Sequence, residues 1–315
     1  FFENRLRDKS RMLRIIAAAI IIFFFTFYVS SGMVAGGRYF ESSFGGDYMV
    51  GMLVVAAVTV FYTFVGGFLA VSYTDTVQGL LMFASLIIVP IMVLFSLENP
   101  GEIFSFAAEN PYATGGVIEN PDYFSLFSGV SAAVIIGNLA WGLGYFGQPH
   151  IVTRFMALRS PSEARSGRNA GMIWVGICYI GSVFTAIIGA SYFGTTQHSV
   201  TDQEGFETIF LDMTRILFHP LIAGLILTAV LAAIMSTISS QLLVSSSALI
   251  EDLFKATVNK SLRPKTYMTL SRVAVALIAI IAAIIAANPN SSILDLVGFA
   301  WAGFGSAFGP VLLAA

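Results

Sequence analysis

The chain has 315 residues, 57% of them hydrophobic and only 11% charged. With a mean hydropathy of +0.82, this excludes an ordinary soluble domain, which has no place to hide so much apolar surface, and makes lipid the solvent for most of the chain. A net charge of −2 excludes a nucleic-acid partner recruited by bulk electrostatics.

The chain opens on "FFENRLRDKSRMLR", a charged stretch without the tripartite pattern of a signal peptide. No initiator methionine precedes it, and the last residues, "GPVLLAA", stop within an apolar run. An internal segment of a longer protein is therefore expected. Eight runs have the roughly 20 apolar residues that a helical crossing needs: 12–37, 48–71, 77–97, 126–150, 170–193, 219–247, 267–287 and 292–315. The runs are continuously apolar rather than alternating, so the expected fold is an all-α polytopic membrane protein and not a β-barrel. The connection 98–125 is rich in Asn, Pro and Gly and reads as irregular, whereas 203–218 spaces Phe206, Phe210, Leu211 and Ile216 as an amphipathic helix. That helix is read either as a surface helix or as a lid over the outer face.

Orientation follows from the basic residues. If eight spans alternate, Arg5, Arg7, Lys9, Arg11, Arg14, Arg154, Arg159, Arg165, Arg168, Lys255, Lys260, Arg263, Lys265 and Arg272 all fall on one side. Only Arg38 and Arg215 fall opposite, among the acids Glu98, Glu102, Glu109, Glu119, Asp122, Asp202, Glu204, Glu207 and Asp212. The N-terminal end is therefore expected in the cytoplasm.

Four features carry candidate chemistry. In "AWGLGYFGQPHIV" the fourth run holds Gly142, Gly144, Gly147 and Pro149 beside Trp141 and Tyr145, which share a helix face. Broken backbone within a membrane survives only where protein or water satisfies it, so a kinked helix gripping a small, partly apolar solute is one reading; ordinary packing is the other. In the sixth run Ala233, Ser236 and Thr237 share a face and offer hard oxygens suited to sodium. Hydroxyls bonding back to their own helix would use the same residues. Asp75 is a membrane-edge acid with no basic residue in its short connection, fit for an ion path or for capping the third helix. Tyr28 puts a polar-tipped ring deep in the first run. His150, His198 and His219 lack metal-ligand spacing, Cys178 is the lone cysteine, and no phosphate loop or nucleophile motif occurs, so neither an enzyme nor a cofactor is expected.

The stretches "FVGGFLAVSYTDTVQ", "WGLGYFGQPHIVTRFMA", "LAAIMSTISSQLLVSSSALIEDL" and "FAWAGFGSAFGP" together resemble the sodium:solute symporter family. The resemblance extends over essentially the whole chain. It implies a LeuT-like core of two inverted five-helix repeats with sites between broken helices at the midplane. On that plan residues 1–97 hold the last three helices of the first repeat, 98–125 an outer loop, and 126–315 the second repeat, truncated at its C-terminal end. The family's first broken helix, which supplies sodium-ligating carbonyls and an essential acid, would precede Phe1, and 98–125 is longer than the family's usual connection. The resemblance further implies a solute site at Trp141, Tyr145 and Pro149, a sodium site at Ser236, Thr237 and the Ala233 carbonyl, sodium transit at Asp75, and, more weakly, a transport role for Tyr28. The implied activity is sodium-coupled import of L-proline through a bacterial cytoplasmic (inner) membrane, with sodium, L-proline and the lipid bilayer as partners. A pantothenate, sugar or sialic acid carrier of the same family, or the membrane input domain of a sensor kinase, are the alternatives.

Overall fold

Backbone polar groups have no partner in hydrocarbon, so each apolar run must close its own hydrogen bonds as a helix. The computed structural model describes residues 2–97, 99–103, 125, 127–195, 203–258 and 263–314, and no strand occurs among them. After a short turn at Phe2–Arg5 come α1 (Met12–Phe44), α2 (Tyr48–Ser96), α3 (Ala132–Gly147), α4 (Pro149–Met156), α5 (Pro161–Thr195), α6 (Gln203–Leu217), α7 (Pro220–Ser247), α8 (Pro264–Ala286) and α9 (Ile293–Ala314). A π-helical stretch, Ala248–Phe254, prolongs α7. Local chemistry sets the ends. Gly45 closes α1 at φ 64° with its N–H on the Glu41 carbonyl, the Asp47 carboxylate accepts from the Val50 N–H at 3.0 Å to start α2, and Ser131 does the same for α3.

Six of these helices are long and apolar enough to cross a membrane, against eight expected runs. The difference lies in two places. The first is α2, whose 49 residues would measure about 73 Å if straight, more than twice the hydrocarbon thickness. It contains both the 48–71 and the 77–97 runs. The residues expected to connect them, 72–76, are helical, and the one non-helical residue is Gly67, at φ 57° and ψ −164°, a conformation that glycine alone adopts cheaply. The two legs run in opposite directions. Tyr48 hydrogen-bonds the Ala286 carbonyl at the end of the bundle where Arg38 meets Pro289. Val89 and Val93 return to that same end, packed with Phe218 and Ala223 at the start of α7. Asp75, between them, reaches Ser240 far along α7. Thus α2 makes two crossings. The second place is the fourth run, where α3 has only 16 residues, about 24 Å, and α4 completes the passage after a break.

The two ends of α1 carry ion pairs to opposite ends of the bundle. Arg14 bonds Asp252 at 2.8 Å, and Arg38, almost fully buried, meets Glu207 of α6 at 2.9 Å. The amphipathic helix expected at 203–218 forms as α6, laying Leu211, Met213 and Phe218 into the core. Ile216, expected on the apolar face, is half exposed; Phe206 lies where no side chain is described. Large apolar side chains such as Phe61, Phe95, Leu139 and Leu221 stay exposed, as befits faces whose solvent is lipid rather than protein. The irregular connection expected at 98–125 falls mostly outside the described residues.

Candidate functional site

The sixth run folds as α7 and gathers three oxygens at one point. Ser236 and Thr237 both donate to the Ala233 carbonyl, each at 3.0 Å. In this geometry the hydroxyls bond back to their own helix, yet both keep lone pairs beside the same carbonyl. Near this level of α7, Tyr62 of α2 donates to the Met235 carbonyl at 2.8 Å. Three oxygens fall short of the six or so that a hard cation collects, so further donors are required for tight binding. Below this point on α7, the Gln241 amide is fully buried and has no partner among the described residues.

Asp75 differs from its sequence reading. It is no helix cap, being interior to α2, and it is not partnerless. Arg154, at the far end of α4, ion-pairs with its Oδ2. Ser240 donates to the same oxygen at 2.9 Å and accepts from Arg154 at 2.7 Å. The other oxygen, Oδ1, is buried and has no partner among the described residues. Ser240 follows Thr237 by three residues, so this carboxylate stands one helical turn from the three-oxygen cluster.

The aromatic residues assemble around a ring that the sequence reading did not assign. The Trp301 indole of α9 stacks on Trp141, with centroids 5.3 Å apart and 16° between planes. It meets Tyr145 edge-on at 4.7 Å and donates to the Tyr28 hydroxyl at 3.0 Å. Tyr145 in turn shares a hydrogen bond with Tyr179 of α5. Gly144 makes room for this arrangement, since a Cβ there would stand 2.3 Å from Trp301 Cε3. Three expected residues, Tyr28, Trp141 and Tyr145, are therefore brought together through Trp301.

The backbone break falls at the proline end of the expected stretch. α3 stays helical through Trp141, Gly142, Gly144 and Tyr145 and stops only at Gln148 (φ −77°, ψ 112°). Pro149 opens α4 as its first residue and joins neither cluster. Gln148 is fully buried, and its amide has no partner among the described residues. The short α4 touches both clusters: His150 lies 5.6 Å from the Phe25 ring and 6.5 Å from Tyr28, while Arg154 reaches Asp75 and Ser240. Arg154 figured in the sequence only as one basic residue among many. Tyr62 carried no signal at all, and Ser240 and Trp301 each stood unassigned within a quoted motif. The described residues hold no cluster of metal-ligating His, Cys, Asp or Glu.

Comparison with known proteins places these features in context. The model of the "Sodium:solute symporter family" matches residues 1–315. The osmoregulated proline transporter OpuE of Bacillus subtilis (strain 168) is 49% identical over 313 residues, covering 99% of this chain and 61% of that protein. The high-affinity proline transporter PutP of the same organism is 47% identical over 99% of this chain and 64% of its own length. The sodium/proline symporter of Staphylococcus aureus (strain JH9) is 44% identical over 99% of this chain and 59% of its own length. The chain thus spans about three fifths of the relatives it matches. A solved Na+-coupled sialic acid symporter, in a substrate-bound outward-open state, superposes with a TM-score of 0.68 at 20% identity, over 86% of this chain and 57% of that one; the likeness extends to the fold. With a family match from end to end and a multi-pass helical fold to go with it, the chain belongs to the sodium:solute symporter family.

Proposed function

We propose that this chain forms the working core of a sodium-driven L-proline importer of a bacterial cytoplasmic membrane. The observation that carries the reading is the pairing of two small sites on different helices: a hard-oxygen cluster at Ala233, Ser236 and Thr237 on α7, and an aromatic enclosure of Trp141, Tyr145, Trp301 and Tyr28 on α3, α9 and α1. The names of the relatives at 44–49% identity support proline as the solute. In this reading residues 1–97 and 126–315 are parts of two inverted repeats, and the end carrying Arg14 and Asp252 faces the cytoplasm.

No covalent chemistry is required of the residues. Sodium at α7 and proline against the aromatic rings favour the same conformer, and each raises the affinity for the other by the same factor. The electrical potential adds about 2.3 kcal/mol per charge per 100 mV to the pull on sodium. The pyrrolidine ring suits flat aromatic walls, whose contacts are worth about 0.5–1.5 kcal/mol each. The test is uptake of labelled proline by cells that lack other proline carriers and express the intact protein carrying residues 1–315. Proline should enter only with sodium outside. Unlabelled pantothenate, sugars and sialic acid should fail to compete, and effective competition by one of them would transfer the assignment to that solute.

A further inference from the structure

The geometry points to Arg154 as a tethered cation that occupies Asp75 whenever no sodium is passing, closing the inner end of the ion path; the inference rests on the transport reading above. The carboxylate of Asp75 is nearly all buried, and a buried carboxylate must have a countercharge or lose its ionisation. The structure provides that charge from α4 rather than from α2's own neighbourhood. One guanidinium nitrogen, Nη2, serves both Asp75 and the Ser240 hydroxyl, at 2.7 Å from the latter. Ser240 also donates to Asp75, so carboxylate, hydroxyl and guanidinium close a three-membered ring of contacts across α2, α7 and α4.

The position of this ring gives it a function. Ser240 is one turn from Thr237 on α7, so a sodium ion leaving the Ala233–Ser236–Thr237 cluster along that helix meets Asp75 next. Among the described residues Asp75 Oδ1 is buried without a partner, as is the Gln78 Oε1 one turn along α2. Two hard oxygens therefore stand ready there, and among the described residues the charge of Arg154 alone pairs with the carboxylate. An arriving sodium and Arg154 compete for one negative charge. As the ion departs, Arg154 reclaims the carboxylate and the path is shut behind it. Arg154 rides on the eight-residue α4, whose other end, at His150, packs against Phe25 and Tyr28. A change around the aromatic enclosure thus has a short rigid lever to the ion path. Arg154 is a positioning residue: its contacts are Asp75 and Ser240, and it touches neither the aromatic enclosure nor the Ala233–Ser236–Thr237 oxygens.

The experiment uses the intact protein carrying residues 1–315, purified in detergent and also reconstituted into vesicles. In detergent, sodium alone is titrated against thermal unfolding, which reports binding through the stabilisation it confers. Arg154→Gln should lower the sodium concentration for half of that stabilisation by about fivefold, the upper end for an ion pair partly in water. In vesicles, the same variant should slow net sodium-driven proline uptake, which requires the ion to leave and the empty carrier to return. Proline exchange, which does not require release of sodium, should be spared. Arg154→Lys keeps the charge and should stay close to the parent in both. An unchanged or weakened sodium dependence in Arg154→Gln, an equal loss of uptake and exchange, or an Arg154→Lys that behaves as Arg154→Gln would each overturn the proposal. Failure of the parent protein to carry proline would instead strike the transport reading, because the sodium titration in detergent needs no solute.

Discussion

Adding a single methyl group at Gly144 tests whether the Trp301 enclosure is the solute site. In Gly144→Ala the new Cβ would stand 2.3 Å from Trp301 Cε3 and 3.0 Å from Cζ3, whereas carbon atoms rest at about 3.5–4.0 Å. The indole must retreat by more than about 1 Å. It is held on three sides, by the stack on Trp141, the edge contact with Tyr145 and the hydrogen bond to Tyr28. Overpacking costs about 1–3 kcal/mol, the hydrogen bond about 1 and a ring contact about 0.5–1.5; since relaxation relieves one strain by giving up another, the net loss is about 2–4 kcal/mol. Gly142→Ala is the internal control: it lies half a turn away on the same helix, with no atom within 4 Å of the added carbon, and replacing glycine by alanine favours a helix by up to about 1 kcal/mol. The assay is proline uptake kinetics of both variants in the intact protein, beside thermal unfolding in detergent. Gly144→Ala should raise the KM for proline at least about tenfold, the equivalent of about 1.4 kcal/mol, and lower the unfolding temperature. Gly142→Ala should match the parent. Indistinguishable behaviour of the two variants would refute the enclosure as the place where solute binds.

Three further outcomes follow from the same geometry. Thr237→Ala removes one of the three oxygens at Ala233 and should raise the sodium concentration for half-maximal uptake by about fivefold, for a net contribution of about 1 kcal/mol, with a smaller change in proline KM; an unaltered sodium dependence would leave Thr237 a helix-bonded side chain and no more. Tyr28→Phe deletes the acceptor of the Trp301 N–H and should weaken proline uptake by a similar factor while leaving sodium stabilisation in detergent intact; equal loss of both would assign Tyr28 to general packing. Single reactive cysteines near Arg165 and Arg263 should be labelled from the cytoplasm and one near Glu109 from outside, as the distribution of Lys and Arg requires; labelling of the Arg165 site from outside would invert the orientation.

The helical class and its crossings were legible because hydrocarbon leaves the backbone a single choice, and the apolar runs mark where it applies. The two legs of α2 were visible as separate runs, but the residue that divides them was not. Gly67 reverses the chain, while 72–76, polar enough to suggest a loop, stays helical, with the hydroxyls of Ser72, Thr74 and Thr76 satisfied by the carbonyls of Phe68, Ala70 and Ser72 one turn back. The break was expected among Gly142, Gly144, Gly147 and Pro149, and it falls at the proline end of that stretch. The three glycines and Pro149 were read together as breakers; Gly144 and Gly147 instead serve close packing against Trp301 and the Phe304 carbonyl. Proline itself sets the break, by driving the residue before it, Gln148, into extended backbone. That rule was available from the dipeptide alone. The partners were not: Arg154 lies 79 residues from Asp75 and Trp301 lies 273 from Tyr28, and no periodicity within one helix reports which distant helix it will face.

The most direct test of the account is proline accumulation in vesicles reconstituted with the intact protein carrying residues 1–315, under an imposed inward sodium gradient. The account predicts that proline rises above its external concentration, rises further when the interior is made negative, and falls to equilibration when sodium is equal on both sides. Accumulation that persists with sodium replaced by potassium, or that ignores the gradient, would contradict sodium coupling through α7.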